Sequence, residues 1–446
     1  MSCLTSVTAL TTLGCALGFF SRPWHPTRSQ CPKGFLRGFQ MEASIARERA
    51  GYPDKHISGQ DQVMPELGED VESARRLLDA WALVQPDSEP CSVDAHPDFY
   101  LPFLNAREGK NSPQVVLWRQ GSDARGILVG RRSRGRHQLS IGPLKIPMPE
   151  LRRLDITYGG LESKDEQVAQ LQADYLRELL QSGTVDCISV HHLPVDSAIG
   201  GILQAGLRMP GDGSPIVKKQ WFLQLTDDQK QPIVTNSAKT RSSQRRQDRK
   251  LEKAFSGTVK IREVRDLDQV GRFIEAASEI GAKSYQGSLR IGVTDSRRWH
   301  THLGVLAGIG CLRAYVLEAQ DTPIAYAVGS YKHRTYTGIA TSFLPEHRNL
   351  SPGAYLNRRV IEHLQAEGAM WLDFGFGDAS YKQLHGTWQR EIVTLHLYSR
   401  TPAARVARAL DASVKWVDHT SRRMLHESGL YERARKLIRR SAERNR

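Results

Sequence analysis

Two stretches of this chain, offset by 185 residues, follow one plan: a helix, a closing glycine and a short apolar strand. The spacing of apolar residues predicts a helix over 165–181 ended by Gly183 and followed by a strand over 185–190. It predicts a second helix over 352–367 ended by Gly368 and followed by a strand over 370–374. Runs at 114–119, 126–130, 138–142 and 154–158 precede the first unit, and runs at 258–264, 312–318, 324–331 and 334–343 precede the second. These are short and bounded by glycine, serine and charge, as strands of a mostly antiparallel sheet are. The economical reading is an internal duplication of the α/β (α+β) class, two tandem domains each with a mixed sheet flanked by helices.

A chain of 446 residues is long enough for both halves. The expected layout is a disordered leader over 1–65, a degenerate first domain over 66–237, a second domain over 238–400 and a basic helical tail over 401–446. A helix over 71–84, stopped by Pro86, opens the first domain. In the tail, Val406, Leu410, Val414 and Val417 form one apolar face, broken near Gly429.

The net charge of +14 is unevenly placed. Residues 238–253 carry seven basic and two acidic side chains, and residues 401–446 carry twelve and five, which leaves the other 384 residues at only +2. A near-neutral body without a basic face argues against specific nucleic-acid binding. The six cysteines form no CxxC pair, so neither a metal site nor a disulfide framework is expected, and the default compartment is the cytoplasm. The apolar stretch 7–20 is fourteen residues long, short of the ~20 that a spanning helix needs.

The richest segment is PEHRNLSPGAYLNRRVIEHLQAEGAMWLDFGFGDASYKQLHGTW at 345–388. Ser351 and Pro352 suit the N-cap and first position of a helix, so Gly353 and Ala354 should offer free N–H groups at its positively polarised end. Arg348 lies three residues before the cap, giving Arg-x-x-Ser-x-Gly. With the basic stretch AKTRSSQRRQDRKLEKAF, the KSYQG segment at 283–287, TPIAYAVGSYKH and DFGFGDASYK at 373–382, this order of features resembles the GNAT acetyltransferase superfamily in its FemAB-like tandem branch, the cellulose-biosynthesis-type acyltransferases. The match covers residues 240–400, and Ser351 stands where the family's pyrophosphate loop has glycine.

The resemblance implies an acyltransferase that moves an acyl group, acetyl first among them, from coenzyme A to an amine or hydroxyl of a sugar-type or cell-envelope acceptor, with charged tRNA as the other donor. It implies donor binding at Arg348, Ser351, Gly353 and Ala354, and acceptor binding at Arg245, Arg246, Arg249, Tyr285 and Gln286. Proton transfer and orientation need a base, an acid and a cation, which Asp373, Asp378, Tyr381 and Lys382 supply within ten residues.

Two rivals stand beside this reading. HHLPVD at 191–196 matches the HHxxxD of condensation-type acyltransferases, in which His192 would be the base beside Asp196, although Ser197 replaces the usual glycine. The second is an inactive scaffold of polysaccharide synthesis whose basic tail touches an anionic membrane surface. The triplet DFG at 373–375 is also found in kinases, but the chain has no glycine-rich loop, VAIK lysine or HRD loop.

Overall fold

The computed structural model describes residues 62–84, 92–105, 111–136, 139–141, 144–206, 215–233, 237–284, 292–377 and 380–427. In the first half the order is β1 (Val63–Gly68), α1 (Val71–Ala82), α2 (Pro97–Asn105), β2 (Ser112–Gln120), β3 (Asp123–Arg136), β4 (Leu139–Ile141), β5 (Leu144–Ile146), β6 (Glu150–Ser163), α3 (Glu166–Gln181), β7 (Cys187–Pro194), α4 (Ala198–Gly206) and β8 (Ile216–Gln224). The second half opens with α5 (Ala238–Ala254) and continues with β9 (Val259–Val264), α6 (Leu267–Lys283), α7 (Arg297–Gly308), β10 (Leu312–Ala319), β11 (Thr322–Lys332) and β12 (Thr335–Phe343). A 3-10 turn (Pro345–Leu350), α8 (Pro352–Ala366), β13 (Trp371–Phe376), α9 (Ser380–His385), β14 (Trp388–Tyr398) and α10 (Pro402–Glu427) complete it.

Apart from the β4–β5 hairpin in the first half and the flanking helices α5 and α10 in the second, the two halves follow one order of strands and helices. Local chemistry marks the helix starts of the first copy: Asp70 and Ser73 form a capping box at α1, and Asp165 caps α3 by accepting the Val168 N–H at 2.9 Å. Along α3, Val168, Ala169, Gln172, Ala173, Leu176, Leu179 and Leu180 line the buried face, and each buried leucine contributes roughly 1.5–3 kcal/mol.

Twelve strands make one sheet in the order β1-β2-β3-β6-β7-β14-β8-β13-β12-β11-β10-β9. The halves exchange their last strands, for β8 pairs with β13 and β14 of the second half, and β14 pairs with β7 of the first. Side chains cross as well, since Val93, Phe99, Phe103, Leu223 and Leu225 belong to the core of the second half. The boundary at 237/238 therefore divides the chain but not the sheet.

Three expectations change. The leader boundary at 65 falls inside β1, whose Val63 is buried against Val116 and Trp118. The strand expected at 138–142 is no member of the main sheet, because β4 pairs only with β5. In α10 the packed residues are Ala403, Ala404, Ala407, Leu410 and Val414, with Asp411 also buried, while Val406 is 53% exposed. The buried stripe is thus rotated toward the small residues, which let the helix approach Met148, Leu151 and Cys187. Val417 and Gly429 lie outside the described side chains.

Candidate active site

In each half one parallel strand pair opens the sheet. β12 and β13 pair only over Thr335–Thr337 and Trp371–Asp373, then part toward their C-terminal ends; β6 and β7 do the same beyond Ile156 and Val190. Next to the opening in the second half, the 3-10 turn leads from β12 into α8.

Ser351, at the junction, has φ 54° and ψ 48°, the left-handed conformation that favours glycine. The serine thus keeps the backbone shape of a glycine loop. It does not cap with its side chain as expected; its carbonyl instead accepts the N–H groups of Ala354 and Tyr355, both at 3.1 Å. The Ala354 N–H is therefore used, a second correction, and the Gly353 N–H is the one that has no acceptor among the described contacts. Nor does the missing side chain of Gly353 face open space, since a Cβ there would lie 3.2 Å from Phe343. Arg348 is exposed, and its guanidinium has no hydrogen-bond or ion-pair partner among the described residues.

The equivalent junction in the first half is built differently. Asp165 is extended, its carboxylate caps α3, and it is held at 2.6 Å by Arg125. That carboxylate is pulled below its ordinary range first by the Val168 N–H. An anion already occupies this helix end, whereas the end of α8 is uncapped.

The basic helix α5 docks beside the α8 junction. Asp248 and Leu251 are buried, Asp248 bonds Arg358, and Tyr355 donates to Glu252 at 3.0 Å. Lys250 donates to the Asn349 carbonyl at 3.2 Å, inside the turn. Arg245, Arg246 and Arg249 are exposed and, with Arg241, line a cleft of about 460 Å³. A second cleft, of about 450 Å³, includes Lys283 and Glu346. Two clusters read separately from the sequence are thereby neighbours. Tyr285 and Gln286 lie outside the described residues.

Asp373 sits at the seam between the halves, 2% exposed. The Asp-Phe-Gly triplet is a β-bulge: Asp373 opposes Phe222, Phe376 opposes Gln220, and Gly375 turns at φ 72° with its N–H donated to Asp373 Oδ1 at 2.6 Å. This is a backbone reason for the motif. Gln220 donates to Asp373 Oδ2 at 2.7 Å and to the Tyr158 hydroxyl at 2.5 Å, while Arg390 donates to Gln220 Oε1 and to the Tyr158 hydroxyl, both at 2.9 Å. Burial pushes the Asp373 carboxyl above its ordinary value, opposed by the Gly375 N–H and Arg390. Burial also pushes the Tyr158 phenol up to about 12.

Lys382 is buried and donates to the Phe376 carbonyl at 2.8 Å. Burial pushes its ammonium down to about 8, with Asp373 pulling the other way. Asp378 lies outside the described residues, as does the side chain of Tyr381. The structure thus brings Asp373 and Lys382 together and adds Tyr158, Gln220 and Arg390, which no sequence motif flagged.

His192 is buried, with φ 54°, and its ring lies flat on Phe376 at 3.6 Å and 12°. Burial holds its imidazole well below the ordinary value, with His191 and Lys218 adding to the effect. Asp196 is exposed. The ring thus packs in the interior, stacked on Phe376 and with the Tyr158 ring edge-on at 5.8 Å. Among the described residues no group of three or more His, Cys, Asp or Glu is placed to hold a metal, and no helix is long and apolar enough to cross a membrane.

Residues 238–383 match the family model of the acetyltransferase (GNAT) domain. Among solved structures, the chain is similar to FemX at 10% identity, covering 74% of this chain and 96% of that one with a TM-score of 0.48. It is also similar to a tandem GNAT protein from the clavulanic acid biosynthesis pathway, at 13% identity over 76% and 98% of the two chains, TM-score 0.39. A third is L-PGS from Bacillus licheniformis, at 10% identity over 68% and 88%, TM-score 0.38. No curated protein matches the chain. With its mixed α/β architecture, the second half of the chain is thus similar, over residues 238–383, to the acetyltransferase (GNAT) domain.

Proposed function

We propose that the chain is an acyltransferase whose second half binds an acyl-coenzyme A donor and passes the acyl group to an amine or hydroxyl of a saccharide acceptor. The observation that carries the donor assignment is the contrast between two equivalent helix starts: the one at 352 is uncapped with Ser351 left-handed, and the one at 166 is closed by Asp165. Gly353 supplies an N–H and Arg348 a cation that have no partner among the described residues, and Lys250 brings the basic helix to the same turn. Among the described residues, those at this turn therefore suit a pyrophosphate, and the closed helix start at 166 does not.

The donor contributes an activated thioester carbonyl. In the transfer the acceptor N or O bonds to that carbonyl carbon, the C–S bond breaks, the acceptor gives up a proton and the departing sulfur takes one. Asp378 is proposed as the base and Tyr381 as the acid. Lys382, with its ammonium depressed to about 8, donates to the Phe376 carbonyl and so ties α9 to the end of β13. Asp373 is a positioning residue, since its two oxygens already accept from Gln220 and Gly375. Arg245, Arg246 and Arg249 would hold anionic parts of either substrate.

Calorimetric titration with acetyl-coenzyme A tests the donor half. The wild type should bind one equivalent, and Arg348→Glu, at an exposed unpaired position, should weaken binding at least tenfold with an unchanged melting temperature. A wild type that does not bind, and transfers no acyl group to any amine tried, would refute the coenzyme A donor and leave the charged-tRNA and scaffold readings.

A further inference from the structure

Strand geometry gathers an aromatic and polar set on one face of the seam. Side chains two apart on a strand share a face, which pairs Trp371 with Asp373, Gln220 with Phe222 and Trp388 with Arg390. The register then aligns the pairs, because Phe222 opposes both Asp373 and Trp388, and Gln220 opposes Arg390. Ring contacts agree: Trp388 lies 4.8 Å from Phe222 and 5.9 Å from Trp371, and the Arg390 guanidinium sits 5.1 Å over Phe222 and 5.9 Å over Trp388.

Such a wall is costly to leave in water without a use. Trp388 is 41% exposed, yet it is fixed between a second indole, a phenyl ring and a guanidinium. Below it the polar floor is nearly complete. Tyr158 accepts from both Gln220 and Arg390, so its own O–H proton has no acceptor among the described residues. Arg390 uses Nε and Nη2 and keeps Nη1 without a partner there. Asp373 has both oxygens engaged. The groups left over are donors, so a ligand seated here must bring acceptor oxygens as well as an apolar face for the indole.

A sugar ring has that combination, with C–H groups on one face and hydroxyl oxygens around the rim. We propose that Trp388, Trp371, Arg390 and Tyr158 form a saccharide-binding site, shared by the two halves of the chain, in which a sugar ring stacks on Trp388 and its oxygens accept from Arg390 Nη1 and the Tyr158 hydroxyl. This deepens the acyltransferase reading, on which it rests, by locating the acceptor. The site is composite: Tyr158 and Gln220 come from the first half, and the indoles, Arg390 and Asp373 from the second.

The test is titration of the full chain, without donor, with β-linked glucose and glucosamine tetrasaccharides, beside the nucleosides adenosine and uridine. The expected result is saturable binding of at least one tetrasaccharide and none of the nucleosides. Trp388→Ala should weaken it at least tenfold and Tyr158→Phe several-fold, while Trp388→Phe recovers most of the affinity. If Trp388→Ala does not fold, Trp388→Leu keeps an apolar side chain without the ring and should show the same loss. Acetyl-coenzyme A affinity of every variant should equal that of the wild type, which separates this site from the donor site. Absence of saccharide binding with intact acetyl-coenzyme A binding overturns the proposal and leaves the donor reading standing, and unchanged saccharide affinity in Trp388→Ala or Trp388→Leu, or binding of nucleosides alone, also overturns it.

Discussion

Replacing Ser351 by glycine tests the donor loop at its strained residue. At φ 54° and ψ 48° a residue with a Cβ costs about 1–2 kcal/mol relative to its ordinary conformations. The hydroxyl accepts no N–H of α8, so no capping energy is lost with it. Glycine adds freedom to the unfolded chain, which returns roughly 0.4–1 kcal/mol. The net expectation is a stabilisation of about 0.5–1 kcal/mol, with acetyl-coenzyme A affinity unchanged within a factor of about three, on the order of 0.6 kcal/mol. The same position in the other repeat should respond in the opposite sense. Asp165→Ala removes a side-chain cap and the Arg125 pair, and should cost about 1–2 kcal/mol. Urea unfolding of the wild type, Ser351→Gly, Ser351→Ala and Asp165→Ala, read at equal slope, measures both effects. If Ser351→Gly and Ser351→Ala each destabilise by ~1 kcal/mol or more, Ser351 is an ordinary side-chain cap, and the contrast on which the donor assignment rests is wrong.

Lys382 gives a pH signature. Its folded value of about 8 lies below the 10.5 of a free lysine, so between those limits the unfolded chain holds a proton that the folded one has released, and stability rises with pH. Wild type should gain roughly 3 kcal/mol relative to Lys382→Met across that window, and parallel pH–stability curves would refute the burial argument. Deleting residues 1–61, which stops short of β1, should leave the melting temperature within about 2 °C of the full chain, whereas deleting 1–67 removes Val63 and should lower it by several degrees. His192→Ala should destabilise by about 2–3 kcal/mol, because it empties a buried stack on Phe376, while kcat per folded molecule stays within about threefold. A thousandfold loss of turnover in a folded His192→Ala protein would make this histidine the base.

What could be read along the chain was what short-range physics writes there. The α3 helix shows an Asp165 cap, a 3.6-residue apolar period and a terminating Gly183, all within reach of one another in sequence. The matching unit at α8 and β13 exposed the duplication, and the basic run at 238–253 proved to be the helix α5. The elements left unassigned are those whose local signal is weak. The helix α6 contains two glycines, the edge strand β1 has a single buried residue at each end, and β14 opens with four polar or exposed positions before its apolar run.

The seam was beyond the sequence for a different reason. Strand neighbours are chosen by backbone hydrogen bonds, which carry no residue identity, so nothing in KKQWFLQ or WQREIVTLHLY says that β8 and β14 cross into each other's half. Period-two alternation puts Trp388 and Arg390 on one face, but only the register with Gln220 brings Arg390 to Tyr158 232 residues away. Ser351 shows the same division on a smaller scale. Its sequence, Ser-Pro-Gly, is that of a capped helix, but where the 3-10 turn meets α8 the residue is left-handed and makes no side-chain cap, a backbone state that the local sequence does not announce.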